Sequence, residues 1–232
     1  MFAWACLKGA EAFFGDYTGP LHFVTIACRR FSCAVDGGAA FDVQQVQSHA
    51  RQALHGFNYL GMVEVAYYGN IGLAPGVRGA LCFHVHAIVW GVSAHRLNRA
   101  LAAVDAREQS LLPGVRPTDR RSLTVNRLPG KLLYMLKSPS KEYRVYPMRG
   151  EFTDQETGEI TVGPTGKWRQ LKQRLRFGGL VAARSALVDR YLDRLAFAGG
   201  AGISLLNRIR CAALRPLRAY QKSRCRLRRS LR

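Results

Sequence analysis

Two histidines one residue apart sit inside an otherwise apolar run, Leu81-Cys82-Phe83-His84-Val85-His86-Ala87-Ile88-Val89-Trp90-Gly91. Side chains of a β-strand alternate faces, so His84 and His86 point the same way with Cβ atoms about 6.5–7 Å apart, a spacing at which two imidazoles grip one metal ion. Cys82, Ile88 and Trp90 share that face and Leu81, Phe83, Val85, Ala87 and Val89 form the other, so the strand is expected to be covered on both sides. A lone His-x-His is as often a pair of hydrogen-bonded core histidines, and the rest of the chain has to decide between the two readings.

Glu64 is the first such residue. It lies in Met62-Val63-Glu64-Val65-Ala66, and a carboxylate in so apolar a strand is costly unless it is paired or bound to metal. Glu64 with His84 and His86 makes a three-ligand set with open positions, whose mixed N and O donors suit Mn²⁺, or Mg²⁺ where a substrate phosphate supplies further oxygens. The competing reading of Glu64 is a salt bridge with an arginine such as Arg78.

A nucleophile is offered by Lys131-Leu132-Leu133-Tyr134-Met135-Leu136-Lys137. At about 100° per residue Lys131, Tyr134 and Lys137 share one helix face, while Leu132, Leu133 and Leu136 pack inward. A phenol flanked by two ammonium groups can be drawn towards phenolate, the form that attacks phosphorus, and Lys137 can also neutralise a phosphate. Alone, this helix would read as a solvated Tyr/Lys face.

The elements that position these residues follow from local pattern. Leu21–Arg29 reads as a first strand; Asp42 caps a helix over Val43–Leu54 that ends at Gly56; Tyr59–Tyr68 reads as a second strand with Met62, Glu64, Ala66 and Tyr68 on one face. The glycine-rich piece Gly69–Gly79 loops into the histidine strand, Ser93 caps a helix through Ala106, and Ser122–Asn126 reads as a fourth strand. That order, β-α-β-β-α-β, predicts an α+β fold with a ferredoxin-like (RRM-like) antiparallel sheet. A short helix is expected at Pro129–Lys137, then a hairpin of Tyr143–Met148 and Glu159–Val162 around Asp154–Gly158. From Thr165 onward the pattern reads as helical, with breaks at Gly178-Gly179 and Gly199–Gly202. These readings divide the chain into a domain over 15–166 and a basic helical extension over 167–232.

Charge is uneven: of a formal net +20, residues 167–232 carry 18 Lys/Arg against two acids. Such a segment is the electrostatic footprint of a polyanion, and nucleic acid is the default because no long apolar run points to a membrane. In the tail, Arg208, Arg210, Arg215, Arg218, Lys222, Arg224, Arg226, Arg228 and Arg229 are expected to bind phosphate backbones, with Lys131 and Lys141 doing so nearer the site. The start, Met1 to Lys8, has no basic region and does not read as a signal peptide, so a cytoplasmic location is expected. The six cysteines have no Cys-x-x-Cys spacing, which predicts reduced thiols and no zinc finger.

Taken in order, Phe23-Val24-Thr25-Ile26, the Val-Glu-Val strand around Glu64, His84-Val85-His86 and Tyr134-Met135-Leu136-Lys137 resemble the HUH endonuclease family, in particular its single-tyrosine rolling-circle replication initiators of plasmid or phage type. The resemblance spans residues 20–145. It implies a divalent metal on His84, His86 and Glu64 that polarises the scissile phosphate, attack by Tyr134 to leave a 5′-phosphotyrosine and a free 3′-OH, and Lys137 steadying charge. The partner implied is single-stranded DNA or a DNA hairpin at a replication origin. No Gly-x-x-x-x-Gly-Lys-Ser/Thr loop is present, so unwinding and synthesis would fall to a host helicase and polymerase.

The chain departs from the family's patterns at two positions: Ser138 stands where two-tyrosine members have a second tyrosine, and Gly130 where some plasmid initiators carry a glutamate before the nucleophile. Tyr143 and Tyr146 lie nearby without spacing that makes either a better nucleophile. Two rival readings are an HUH transposase, which shares the site, and a non-catalytic single-stranded nucleic-acid-binding protein.

Overall fold

The histidine-bearing run forms a fully buried eleven-residue strand. The computed structural model describes residues 1–73, 78–112, 114–137, 139–188 and 190–230, with side chains through residue 219. In chain order the elements are α1 (Phe2–Phe14), β1 (Leu21–Ile26), β2 (Ser32–Ala34), α2 (Val43–Ala53), β3 (Asn58–Tyr68), β4 (Ala80–Trp90), α3 (Ala94–Asp105), β5 (Thr118–Leu123), α4 (Leu128–Met135), β6 (Lys141–Thr153), β7 (Ile160–Arg174), α5 (Phe177–Ser185), α6 (Leu192–Leu195), β8 (Ala196–Gly199) and α7 (Ala201–Ser230).

The fold is α+β. Its sheet runs β5-β1-β4-β3-β6-β7, with β2 added to β4 and β8 to β3. Every pairing is antiparallel except a short parallel one between β3 and β6, at Tyr67↔Glu142 and Tyr68↔Tyr143, so the sheet is mixed rather than wholly antiparallel. Side-chain alternation sorts the helices. Phe83, facing away from His84, stacks on Phe41 at 4.2 Å just before α2, and α2 packs with α3. On the histidine face, Phe13 and Phe14 of α1 meet Trp90 edge-on at 5.5 and 5.1 Å, and α4 lies beside α1. The helix starts are those expected: the side chains of Asp42 and Ser93 accept from the backbone N–H groups of Gln44 and Arg96.

Several expectations need correction. The first strand stops at Ile26, and Arg29–Phe31 is a 3₁₀ turn. The fourth strand lies at Thr118–Leu123, earlier than the apolar cue at Ser122–Asn126, because it is an edge strand whose register is set by β1. Residues 165–174 are strand, not helix: β6 and β7 form one ribbon of 13 and 15 residues, so the boundary expected at 166/167 falls inside β7. Gly178 and Gly179 lie inside α5 rather than breaking it, and a Cβ at Gly179 would press on the Leu175 and Tyr67 side chains. The break before α7 is present, carried by Gly200 at φ +55°. The basic extension is also no separate tail at its start, since Leu205, Leu206 and Ile209 of α7 are buried in the core. Among the described residues no helix is long and apolar enough to cross a membrane.

Candidate metal centre and active site

The antiparallel register of β3 and β4 sets Glu64 directly opposite His84 and Met62 opposite His86. On the other side of β4, Thr25 of β1 is opposite His86. Glu64, His84, His86, Thr25 and Phe23 therefore share one face. This is the placement that alternation required, with the cross-strand partner now named.

Three donor atoms converge there. His84 Nε2 and His86 Nε2 are 3.1 Å apart, Glu64 Oε2 lies 3.2 Å from His86 Nε2 and 3.8 Å from His84 Nε2, and the set can hold a metal ion. Donors around an ion with bonds of about 2.0–2.2 Å stand roughly 3 Å apart, so the group fits. Two further observations support the fit. Glu64 Oε2 is buried without a hydrogen-bond partner, and the imidazoles are oriented from behind, His86 Nδ1 by Thr25 Oγ1 at 3.0 Å and His84 Nδ1 by the Cys82 carbonyl at 3.3 Å. That carbonyl can only accept, so Nδ1 of His84 carries the proton and Nε2 turns its lone pair into the cluster.

Electrostatics agree. Burial, reinforced by His86, pushes the His84 imidazole down to about 4 against the opposing pull of Glu64, so it is a neutral ligand at pH 7. For Glu64 burial favours the neutral acid, yet the close His86 imidazole, 3.2 Å away, with His84 and Lys137 outweighs it and holds the carboxyl below its usual range. Lys137 also faces Glu64, its Nζ 2.6 Å from Oε1. This contact is an ion pair outside good hydrogen-bond alignment. The arginine partner considered for Glu64 from sequence is replaced by this lysine.

Helix α4 delivers the phenol. Leu132 and Leu136 are buried as expected, together with Leu128 and Met135, whereas Leu133, expected to pack inward, is exposed. The Tyr134 ring meets His86 at 5.1 Å and Phe23 at 6.2 Å, and Phe23 stacks on His86 at 5.2 Å. The helix ends at Met135 rather than Lys137, and past its Leu136 cap the chain turns Lys137 back over the Tyr134 ring, Nζ 3.4 Å from the centroid. Lys131 Nζ lies 4.7 Å from the Phe23 ring and 5.7 Å from that of Tyr134.

Tyr143, which no spacing marks as a nucleophile, and Tyr68, a face residue of its strand, are the residues that local pattern does not connect to the site. Their rings are 5.5 Å apart, and burial first, then the nearby Tyr134 and Glu64, push the Tyr143 phenol upward. Tyr143 is therefore a neutral phenol beside Tyr68 on the site's side of the sheet. The parallel bridge of β6 to β3 brings it there, and that bridge had no local signal.

The basic residues assigned to nucleic acid are spread out. Lys131 borders the site, Lys141 begins β6, and Arg208, Arg215 and Arg218 are exposed on α7. Arg210 is partly buried and donates to the carbonyls of Asp193 and Ala196, a structural role. Lys222, Arg224, Arg226, Arg228 and Arg229 have side chains outside the described residues.

Compared with protein-family models, curated proteins and solved structures, the chain matches none of them.

Proposed function

We propose that this chain is an HUH-type endonuclease that nicks and rejoins single-stranded DNA and so initiates rolling-circle replication. The observation that carries the reading is the packing of Tyr134 between His86 and Lys137, beside three convergent metal donors. The frame supports it too: strands β5-β1-β4-β3, all antiparallel neighbours with α2 and α3 as crossovers, have the order of a ferredoxin-like sheet.

Glu64, His84 and His86 would hold a divalent ion, Mn²⁺ or Mg²⁺, which when bound supplies Lewis-acid polarisation of a phosphate oxygen. Tyr134 Oη bonds to phosphorus as its proton is lost, the bond to the 3′ oxygen breaks, and that oxygen takes up a proton. The product is a 5′-phosphotyrosine and a free 3′-OH, and because the phosphoester is conserved the reverse attack rejoins strands without ATP. The ammonium of Lys137 lowers the energy of the phenolate forming beside it. The substrate is an origin strand or hairpin in the cytoplasm, and unwinding and synthesis are left to host enzymes.

The test is mass spectrometry of purified protein incubated with Mn²⁺ and a random pool of single-stranded oligonucleotides. A peptide containing Tyr134 bearing a 5′-phosphate-linked nucleotide is expected. The adduct should disappear in Tyr134→Phe while oligonucleotide binding persists; an adduct that survives this substitution, or none in the wild type, sinks the proposal.

A further inference from the structure

The β6–β7 ribbon is the largest feature that the nicking chemistry does not use. Its charge is divided along its length. The half next to the body, residues 141–147 and 167–174, carries Lys141, Arg144, Lys167, Arg169, Lys172 and Arg174. Its one acid, Glu142, is buried and engaged by Arg144 Nε at 2.7 Å and by Arg176 Nε and Nη2 at 3.2 and 3.1 Å. The outer half carries Arg149 against Glu151, Asp154, Glu156 and Glu159, and Asp154 is spent on the turn, accepting from the backbone N–H groups of Glu156 and Thr157.

Register assigns the faces. Lys141↔Arg174, Tyr143↔Lys172, Val145↔Gln170 and Pro147↔Trp168 are directly opposed pairs on one face. The ribbon is anchored so that this face continues that of the site: Asn70 donates to the Val145 carbonyl at 2.7 Å and accepts from its N–H at 2.9 Å, and Tyr143 is bridged to Tyr68, on the Glu64 face of β3, with the two rings 5.5 Å apart. Lys172 Nζ lies over the Tyr143 ring at 5.7 Å. A row of exposed cations, with a half-buried Trp168 at its outer end, thus runs into the phenol proposed to attack DNA.

We infer that this inner face, formed by Lys141, Tyr143, Trp168, Lys172 and Arg174, is the track along which single-stranded DNA enters the site. The inference rests on the nicking proposal for its destination. The cations neutralise successive phosphates, Trp168 offers a π-face on which a base can stack, and the acidic outer half repels the strand and confines it to the segment beside the site.

The experiment is fluorescence anisotropy of labelled dT30 with the full chain in EDTA, so that nothing is cleaved. Lys172→Ala with Arg174→Ala is expected to weaken binding at least tenfold and to lower the slope of log K against log salt by about 1.4, two phosphate contacts. Trp168→Phe should abolish most of the dT30-induced quenching of tryptophan fluorescence, and Trp4→Phe should not. Arg169→Ala, on the opposite face, should change binding less than threefold, and these variants should melt with the wild type.

Unchanged binding in the Lys172/Arg174 variant, no wild-type binding of dT30, or tighter wild-type binding of a blunt duplex or of rU30, overturns the track. Failure of nicking is read separately. A protein that forms no adduct but loses dT30 in the ribbon variant keeps the track and loses the nuclease, and one that forms the adduct with an indifferent ribbon does the reverse.

Discussion

Lys137 serves two partners at once, its Nζ standing 2.6 Å from Glu64 Oε1 and 3.4 Å from the centre of the Tyr134 ring. One ammonium thus touches both the carboxylate of the candidate metal cluster and the phenol. It neutralises Glu64 in the absence of a cation, and it competes for that carboxylate when one arrives. Lys137→Met should accordingly separate two properties that a general loss of structure would lower together. Mn²⁺ affinity by calorimetry should rise by about tenfold as the competing charge goes, while adduct formation should fall by about 10². Weaker metal binding in this variant would show that Lys137 supports the ligand set instead.

The donor set makes its own prediction. Two imidazoles and one carboxylate favour Mn²⁺ over Mg²⁺, which prefers all-oxygen surroundings. Mn²⁺ at a hundredfold excess over its Kd should stabilise the fold by about 2.7 kcal/mol, seen as a raised thermal midpoint, and Mg²⁺ at the same concentration should do far less. Glu64→Ala should remove the Mn²⁺ effect; a stabilisation that survives would place the ion elsewhere.

His84 sets a pH window. Its ordinary value is 6.5 and burial brings it to about 4 in the fold, so between these values the unfolded chain holds a proton that the folded chain refuses. Stability is fully present above pH 6.5 and falls as pH drops towards 4, by up to about 3 kcal/mol. Glu64, held low, adds the same sign further down: its contribution is present above the usual carboxylate range and is lost in stronger acid. Urea midpoints in EDTA from pH 7.5 to 4.5 should trace this decline, and His84→Gln should flatten it. An equal slope in that variant would assign the acid sensitivity to other groups.

The site was legible because its signals are local. Alternation alone puts His84 and His86 on one face, and a carboxylate at position 64 in an apolar strand needs a partner wherever that strand pairs. What escaped was long-range. Lys167-Trp168-Arg169-Gln170-Leu171-Lys172-Gln173-Arg174 consists mostly of good helix formers with no apolar alternation, and its strand form comes from pairing with β6. Tyr143 escaped because its proximity to Tyr134 depends on a two-residue parallel bridge. Helix α1, apolar on most sides, becomes interpretable only once α7 and Trp90 are seen against it.

Arg190 is a structural keystone outside the site. Its guanidinium donates to the carbonyls of Gly38 at 3.3 Å, Ala186 at 2.6 Å and Ala39 at 2.9 Å, and also to that of Phe41, and it lies 5.7 Å from the Phe83 ring. Removal leaves several carbonyls short of donors, so Arg190→Ala should destabilise the fold by about 2–4 kcal/mol in urea unfolding. Arg190→Lys should recover less than half of that, because a single ammonium cannot reproduce the planar fork. Full rescue by lysine would mean that charge alone matters.

The end of α7 tests whether the basic extension adds affinity without supporting the fold. Its buried anchors, Leu205, Leu206 and Ile209, all precede residue 210, whereas residues 220–232 hold six Lys/Arg and no acid. Deleting residues 220–232 should therefore leave the thermal midpoint within a degree or two. If all six cations touch phosphates, the salt slope for dT30 should fall by about 4, because each contact with a single strand contributes about 0.7. Cleavage of a bound strand at saturating DNA should be unchanged, because Tyr134, Lys137 and the donor cluster lie on β3, β4 and the α4 segment. A truncated chain that binds DNA as before would show that these cations face away from the substrate, and one that melts far earlier would show that they belong to the fold.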